Sequence, residues 1–227
     1  MILKLISYLI EIPIETRNSD HSPKLKVTLK NGRYALGTNT VYYSHEDQYT
    51  SFKQAFEFLR PKQEEVKRVL VLGYGLGSIP HILHRQHHIK AHYTAVEIDP
   101  VVVGMAQRYG NLPEGSIVHW INADALSYVT YSKEQYDFIC VDIFIDNTVP
   151  QAFLQKEFLT EAARLLKPMG KLLFSHLTTS EEQRTEVAAY FKEVFQNVFP
   201  DATYVDTTGN WVLVGEKKTI ILKRKPQ

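Results

Sequence analysis

Residues 69–100 read VLVLGYGLGSIPHILHRQHHIKAHYTAVEIDP, and this stretch decides the predicted fold of the chain. It begins with the continuous apolar run 69–72, which is typical of a strand buried on both faces. Three alternate glycines follow at once, Gly73, Gly75 and Gly77. Because glycine accepts positive φ and has no Cβ, the backbone of such a turn can approach a ligand closely. A helix and a second apolar strand complete a predicted strand–turn–helix–strand unit.

The second strand of this unit, residues 93–96, ends in the acidic segment E-I-D-P. Its first residue, Glu97, lies twenty positions after Gly77, and a carboxylate at such a strand end can bind both ribose hydroxyls of a nucleoside. Any parallel α/β protein needs a glycine at a tight turn, so the glycines alone are a weak signal. A dinucleotide fingerprint would need glycine or alanine at position 78. The chain has Ser78 there, the predicted helix N-cap, which argues against an NAD-dependent oxidoreductase.

Strands and helices alternate through the rest of the chain. The predicted strands are residues 69–72, 93–96, 117–121, 136–141 and 171–175, and the predicted helices include residues 45–59, 101–109, 154–166 and 181–199. Residues 202–205 and 211–214 are predicted to pair as an antiparallel hairpin. The pattern predicts an α/β fold with a doubly wound, mostly parallel sheet, an antiparallel C-terminal hairpin and a small N-terminal β-segment.

The N-terminal segment, residues 1–45, is predicted to be distinct from the α/β domain of residues 46–227. Apolar and polar residues alternate over residues 8–14, which predicts a half-buried strand. Two further short runs flank Asn31-Gly32, a strong hairpin signal. So small a segment cannot hold a core alone. We therefore expect it to dock on the main domain or on a second subunit of a homodimer.

The amino-acid composition of the chain limits the kinds of partner and compartment that we expect. The 227 residues include 26 Lys and Arg against 25 Asp and Glu, and a net charge of +1 gives no basic field for nucleic acid. Cys140 is the single cysteine, so no internal disulfide can form, which fits a reducing compartment. The chain has no run of about 18 apolar residues that could span a membrane. We expect a soluble cytoplasmic protein.

Strand ends carry the candidate binding residues, because ligands of open α/β sheets lie outside the carboxyl ends of the strands. Four successive predicted strand ends supply Gly73, Gly75 and Gly77, then Glu97, Asp124 and Asp142. Several acids at equivalent strand ends are a stronger signal than any one motif. Together they predict a nucleoside site.

Three segments resemble a known family. VEIDPVVVGMAQRYG from position 96, NADALSYV from position 122 and YDFICVDIF from position 136 resemble the spermidine synthase-like branch of the class I S-adenosylmethionine-dependent transferases. The resemblance covers residues 49–215 and implies S-adenosylmethionine, or its decarboxylated form, as the cofactor. Family members transfer an aminopropyl group to putrescine, and related proteins are methyltransferase-like.

The resemblance also implies roles for individual residues. The backbone of the glycine turn would lie along the amino-acid end of the cofactor, Glu97 would bind the ribose, and Asp124 with Ala125 would bind the adenine. Asp142 matches the first aspartate of the family's D-x-x-D-P motif, the proposed general base. Tyr49 matches the tyrosine of its Y-H-E-like motif, and Asp146 lies beside the position of the second aspartate. Tyr49 and Asp146 are therefore the predicted substrate-binding residues.

Two departures from the family pattern leave the transferred group open. Leu76 stands where the family's glycine loop has an aspartate that contacts the aminopropyl amine, and Ile145 replaces the second aspartate of D-x-x-D-P. A diamine carries two positive charges, and burying them requires carboxylate partners. The sequence thus predicts methyl or aminopropyl transfer to a small acceptor. The alternative is a non-catalytic nucleoside-binding protein that keeps the fold.

Histidines crowd the helix that follows the glycine turn. His84 and His88 are spaced four apart, as metal-binding pairs are. No acidic third ligand lies nearby in the sequence, so we expect no metal site.

Overall fold

The computed structural model describes residues 2–22, 24–38, 42–110, 112–145 and 147–218. The strands are β1 Ile12–Arg17, β2 Leu25–Lys30, β3 Arg33–Gly37, β4 Tyr42–Ser44, β5 Arg68–Leu72, β6 His92–Glu97, β7 Ile117–Asn122, β8 Tyr136–Val141, β9 Leu166–Leu177, β10 Thr203–Thr207 and β11 Asn210–Glu216. The helices are α1 Ile2–Ile6, α2 Thr50–Leu59, α3 Ser78–His87, α4 Pro100–Tyr109, α5 Ala125–Tyr131, α6 Lys156–Arg164, α7 Glu181–Tyr190 and α8 Gln196–Val198, and a π-helical turn, Phe191–Phe195, joins α7 to α8.

A seven-stranded sheet forms the centre of the molecule, in the order β10-β11-β9-β8-β5-β6-β7. The pairs from β9 through β8, β5 and β6 to β7 are parallel, while β11 is antiparallel to both β9 and β10. This confirms the predicted mostly parallel sheet with its antiparallel C-terminal hairpin. The chain runs outward from β5 to β7 and then returns to β8 on the other side of β5. Such a reversal of strand order opens a crevice at the carboxyl ends of the two central strands.

Helices cover both faces of this sheet, which explains the unbroken apolar run at residues 69–72. Val69 and Val71 of β5 join a core cluster with side chains of α2, α3 and α4. The alternate residues Leu70 and Leu72 join a second cluster with side chains of α5, α6 and α7. Successive side chains of a strand point to opposite faces, so a strand covered on both faces needs apolar residues at every position.

The N-terminal segment forms a four-stranded antiparallel sheet, β1-β2-β3-β4. Asn31 and Gly32 both have positive φ, 51° and 74°, and form the predicted hairpin turn. Leu25 and Val27 of β2 are fully buried in the same core cluster as α2 and α3. The boundary at residue 45 stays a prediction, although the segment clearly docks on the main domain.

Ion pairs reinforce this docking. Arg85 of α3 pairs with Glu46 at 3.2 Å and with Asp47 at 3.1 Å, in the short 3-10 helix Glu46–Gln48 that follows β4. Both carboxyl side chains are buried, and Arg33 of β3 also pairs with Asp47. The N-terminal sheet is therefore joined to α3 by charge as well as by apolar contact.

Some predicted boundaries were wrong. The strand predicted over residues 8–14 begins only at Ile12, because Ile2–Ile6 is helical and the turn after it leaves Tyr8 and Ile10 about 60% exposed (61% and 62%). The helix predicted from residue 45 begins at Thr50. The helix predicted over residues 154–166 begins at Lys156 and ends at Arg164, and residue 166 is already the first residue of β9.

The predicted N-cap was also wrong. Gly77, at φ 87°, is the N-cap of α3, and Ser78 is the first helical residue. The buried Ser78 hydroxyl instead contacts Ser44 Oγ at 2.7 Å and accepts a hydrogen bond from the His45 backbone N–H at 3.0 Å. Ser78 therefore links the main domain to the end of β4. None of the helices in the described part of the chain is long and apolar enough to cross a membrane.

Candidate functional site

A cavity of about 450 Å³ lies at the carboxyl ends of the central strands. The predicted site residues that line it are Tyr49, Gly73, Gly75, Glu97, Asp124, Ala125 and Asp142. Gly77 caps α3 and is not among the lining residues. Asp146 lies outside the described residues. The structure thus brings most of the predicted residues to one cavity, and the binding roles assigned to them stay predictions.

The glycine turn is pressed against the end of β8. Gly73 has a φ of 80°, and its N–H donates to the Val96 carbonyl oxygen at 3.0 Å. A Cβ atom at this position would collide with the carbonyl oxygen of Asp142. Only glycine combines that φ with that approach. The turn therefore forms a backbone-lined wall of the cavity directly beside Asp142.

Glu97, at the end of β6, is held by backbone N–H groups. Its two carboxylate oxygens accept hydrogen bonds from Tyr74 N at 3.2 Å and from Asp99 N at 3.2 Å. Burial raises the pKa of the Glu97 carboxyl, and these backbone donors oppose that effect. The glycine turn thus orients the residue predicted to bind the ribose.

Asp99 is a site residue to which the sequence assigned no role. It lines the cavity, is 3% exposed and caps α4, where Oδ1 accepts from Val101 N at 2.9 Å. Its Oδ2 accepts from the Ser19 hydroxyl at 2.5 Å. Ser19 lies in the loop between β1 and β2, and His21 and Ser22 of the same loop line the cavity. The N-terminal sheet therefore supplies one wall of the site.

Asp124 and Ala125 lie at the start of α5, just beyond β7. Asp124 is the N-cap, and its Oδ1 accepts from Ser127 N at 2.8 Å. The cap uses one of the two carboxylate oxygens. Asp124 thus combines a structural role with a place in the cavity wall.

Asp142, at the end of β8, is held by side chains from distant parts of the chain. Tyr49 Oη donates to Asp142 Oδ1 at 3.1 Å, and the Ser175 hydroxyl forms a second hydrogen bond to the carboxyl group. Ser175 is fully buried in β9, and its Oγ accepts from Asn210 Nδ2 at 3.1 Å. Asn210 of β11 also lines the cavity. These four residues form a polar chain that ends at the Asp142 carboxyl.

Burial sets the protonation of this carboxyl. Asp142 is half-buried in the cavity wall, and burial raises its pKa to about 7, against the effect of the hydrogen bonds from Tyr49 and Ser175. Burial and the Asp142 charge raise the pKa of the Tyr49 hydroxyl well above its usual value. Tyr49 therefore remains a proton donor in the hydrogen bond. A carboxyl group that ionises near neutrality suits proton transfer.

The two departures from the family pattern occupy different environments. Leu76 is fully buried in the core and does not line the cavity. Ile145 lines the cavity and is 62% exposed, and its backbone pairs with that of Thr148. Of the two replacements, only Ile145 changes the described wall of the site.

One histidine of α3, His81, has a structural contact. His81 is buried, and its Nε2 lies 2.7 Å from the Gly110 carbonyl oxygen. Within the described ranges, no three His, Cys, Asp or Glu side chains are grouped as metal ligands.

Ser175 and Asn210 were missed as site residues in the sequence. Ser175 is the last residue of the strand predicted over residues 171–175, and that position was the available signal. Asn210 lies beside a Thr-Thr-Gly turn, whose composition indicates a hairpin and no site.

The chain is similar to a protein-family model and to several curated proteins. The model of the spermine/spermidine synthase domain matches residues 57–222. The polyamine aminopropyltransferase of Vibrio vulnificus (strain CMCP6) is 32% identical over 145 residues, 63% of this chain and 47% of the relative. An N-terminal histidine N-methyltransferase of Emericella nidulans is 34% identical over 121 residues, 51% of this chain and 21% of the relative. The chain therefore spans less than half the length of these curated relatives.

A solved structure supports the fold. The crystal structure of human methyltransferase-like protein 13 in complex with SAH superposes with a TM-score of 0.59 at 23% identity, covering 77% of this chain and 85% of that one. This similarity shows the methyltransferase-like arrangement of the sheet and helices.

Proposed function

The chain belongs to the spermine/spermidine synthase domain family, and on that premise we propose that it is an S-adenosylmethionine-dependent transferase that alkylates a small nucleophilic acceptor. The observation that carries the proposal is the place and state of Asp142. Asp142 lies in the cavity wall, its backbone carbonyl is packed against the glycine turn, and burial raises the pKa of its carboxyl to about 7.

The cavity fits a nucleoside cofactor. Gly73 and Gly75 offer a close backbone wall, Glu97 offers a carboxylate at the end of β6, and Asp124 offers a second acceptor beyond β7. We assign the amino-acid end of the cofactor to the glycines, the ribose to Glu97 and the adenine to Asp124 and Ala125. When bound, S-adenosylmethionine or its decarboxylated form supplies an electrophilic carbon attached to a sulfonium.

Asp142 is the proposed general base. A base is most effective when its pKa lies near the working pH, since it is then both ionised and basic enough to take a proton. At pH 7 to 8, a carboxyl with a pKa of about 7 meets both requirements. Tyr49 and Ser175 fix its orientation, and the cavity wall aligns the acceptor with the electrophilic carbon.

We also propose that the enzyme works in the cytoplasm on a small molecule and not on nucleic acid. Cys140 is buried in β8 as a free thiol, which suits a reducing compartment. We propose a homodimer as well. Exposed apolar residues of the N-terminal helix and the following turn, including Leu3, Leu5 and Leu9, support it. Light scattering at micromolar concentration tests the homodimer, and a monomeric mass would contradict it.

Calorimetric titration tests the cofactor assignment. S-adenosylmethionine, its decarboxylated form and methylthioadenosine are titrated separately into the purified protein. Tighter binding of S-adenosylmethionine assigns methyl transfer, and tighter binding of the decarboxylated form assigns aminopropyl transfer. Failure of all three to bind would overturn the proposed function. Binding without release of a thioether product, across a panel of acceptors, would indicate a non-catalytic binding protein.

A further inference from the structure

Asn210 begins β11, and the turn before it is held by two hydrogen bonds. Residues 208–209 join β10 to β11, and Gly209 has a φ of 87°. Thr207 Oγ1 donates to the Asn210 carbonyl oxygen at 2.7 Å. Thr178 N, just beyond β9, donates to the Gly209 carbonyl oxygen at 2.9 Å. The backbone of Asn210 is thus fixed relative to the end of β9.

The sheet places the Asn210 side chain beside Ser175. β11 is antiparallel to β9, with Asn210 paired to Leu177 and Val212 paired to Ser175. Side chains two positions apart on a strand share one face of the sheet, so Asn210 and Ser175 are diagonal neighbours on that face. Asn210 Nδ2 accordingly lies 3.1 Å from Ser175 Oγ.

Asp142 lies on the other side of Ser175. In the parallel pairing of β8 with β9, Val141 lies opposite Phe174. The residues that follow them, Asp142 and Ser175, are therefore neighbours where β8 ends. The Ser175 hydroxyl forms a hydrogen bond to the Asp142 carboxyl. Ser175 thus connects Asp142 with Asn210.

The chemistry of these three side chains fixes the direction of each hydrogen bond. An amide nitrogen can only donate, so Ser175 Oγ is the acceptor of the bond from Asn210. A hydroxyl has one hydrogen, and an ionised carboxylate can only accept. Ser175 therefore gives its own hydrogen to Asp142. Ser175 is fully buried, which keeps competing water from this hydroxyl.

We propose that Asn210 is a positioning residue for the base: its amide directs the hydroxyl hydrogen of Ser175 towards the Asp142 carboxyl. The proposal rests on the proposed function and adds to it a residue that acts on Asp142 through Ser175. Successive hydrogen bonds polarise one another, so a hydroxyl that accepts a bond is a better donor. The C-terminal hairpin thereby stabilises the ionised form of Asp142 against the effect of burial.

The Asp142 pKa, measured by NMR of ¹³C-labelled aspartate without any ligand, tests this proposal. Asn210→Leu keeps the approximate size of the side chain and removes the donor. We expect the Asp142 pKa to rise by about 0.4 units, because the Ser175 hydrogen is no longer held in one direction. Asn210→Ala, which lacks the bulk of leucine, should shift the pKa in the same direction. The acid limb of the pH–turnover profile should move with the pKa.

A double-mutant cycle shows whether the effect passes through Ser175. In a Ser175→Ala background, the Asn210 amide has no hydroxyl left to orient. Asn210→Leu should then change the Asp142 pKa by less than about 0.1 units. A merely structural role of Asn210 would give the same shift in both backgrounds.

Thr207→Val is the matched control for the hairpin. It removes the hydrogen bond to the Asn210 carbonyl oxygen and leaves the Asn210 amide in place. The melting temperature should fall by about 3 °C, whereas the Asp142 pKa should move by less than about 0.1 units.

Three results would overturn the proposal. They are an unchanged Asp142 pKa in both Asn210 variants, an equal shift in the Ser175→Ala background, and an equal shift in Thr207→Val. The proposed function is judged separately, by the cofactor titration. A protein that binds the cofactor but gives any of these three results would therefore refute the role of Asn210 alone.

Discussion

The two ends of the cavity are built in different ways. One end lies at β6 and β7, where the nucleoside is proposed to bind, and is called the nucleoside end. There, nearby backbone N–H groups hold the acids: Asp99 N donates to Glu97, Val101 N to Asp99, and Ser127 N to Asp124. The other end lies beside β8, where the acceptor is proposed to bind, and is called the acceptor end. There, side chains hold Asp142, and its partner Tyr49 lies 93 positions away in the chain. The first end is determined mainly by local sequence, with two distant contacts, from Tyr74 to Glu97 and from Ser19 to Asp99, and the second end is determined by the assembled fold. We therefore expect substitutions at the two ends to separate binding from chemistry.

The largest effect is expected at Asp142. Asp142→Asn keeps the size of the side chain and removes the base, so turnover should fall by at least about 100-fold. Cofactor affinity should change less than about threefold, because the nucleoside end is untouched. The measurements are release of thioether product in the presence of an amine panel and calorimetric titration of S-adenosylmethionine. Wild-type turnover in the variant would remove Asp142 from the mechanism.

Glu97→Gln should give the opposite pattern. Loss of one charge-assisted hydrogen bond to the ribose should weaken cofactor binding by about tenfold, and turnover at saturating cofactor should stay near wild type. The same two measurements apply, with the melting temperature as a control for folding. If turnover falls while affinity is kept, the division between the two ends is wrong.

Smaller effects are expected from the partners of Asp142. The hydrogen bonds from Tyr49 and Ser175 lower the Asp142 pKa against the effect of burial, so Tyr49→Phe and Ser175→Ala should each raise it. Each lost hydrogen bond is worth about 1 kcal/mol, so the acid limb of the pH–turnover profile should move up by about half to one pH unit. Phe at position 49 keeps the ring that stacks on Phe52 at 6.3 Å. An unmoved limb in both variants would separate these residues from the base.

The smallest predicted effect is on stability. Burial raises the Asp142 pKa to about 7 from its ordinary value of 3.8, so ionisation opposes folding, and stability falls as pH rises between these two values. Asp142→Asn removes this pH-dependent loss of folding stability, because asparagine does not ionise. Its melting temperature should exceed the wild-type value by at least about 3 °C at pH 8, and the difference should disappear near pH 4. Equal melting temperatures at both pH values would argue against a raised pKa.

The same contrast explains how much the sequence could predict. The strand–glycine–helix unit, the strand-end acids and the mostly parallel sheet follow from local patterns, since a strand covered by helices on both faces must be apolar throughout. Asn210 could not be recognised in this way, because 35 positions separate it from Ser175 and only the pairing of β9 with β11 brings the two residues together. Leu76 shows a related limit. Aligned with a cofactor-contacting aspartate, it instead belongs to the core.

The N-terminal strand shows a second limit. Residues 8–14 alternate as a half-buried strand does, yet Tyr8 and Ile10 remain exposed. Alternating apolar and polar residues indicate a buried strand face only where another element covers that face. The turn at Gly32 approaches the Tyr8 ring, but it leaves both side chains more than half exposed.

The central claim is that Asp142 ionises near neutrality inside the cavity, and NMR can test it without any acceptor. The carboxyl resonances of ¹³C-labelled aspartate are followed from pH 4 to pH 9 in the wild-type protein, and Asp142→Asn identifies the resonance by its loss. The account predicts that this resonance titrates with a pKa of about 7. Titration below about pH 5, within the usual range for aspartate, would contradict the account and leave the cavity without its proposed base.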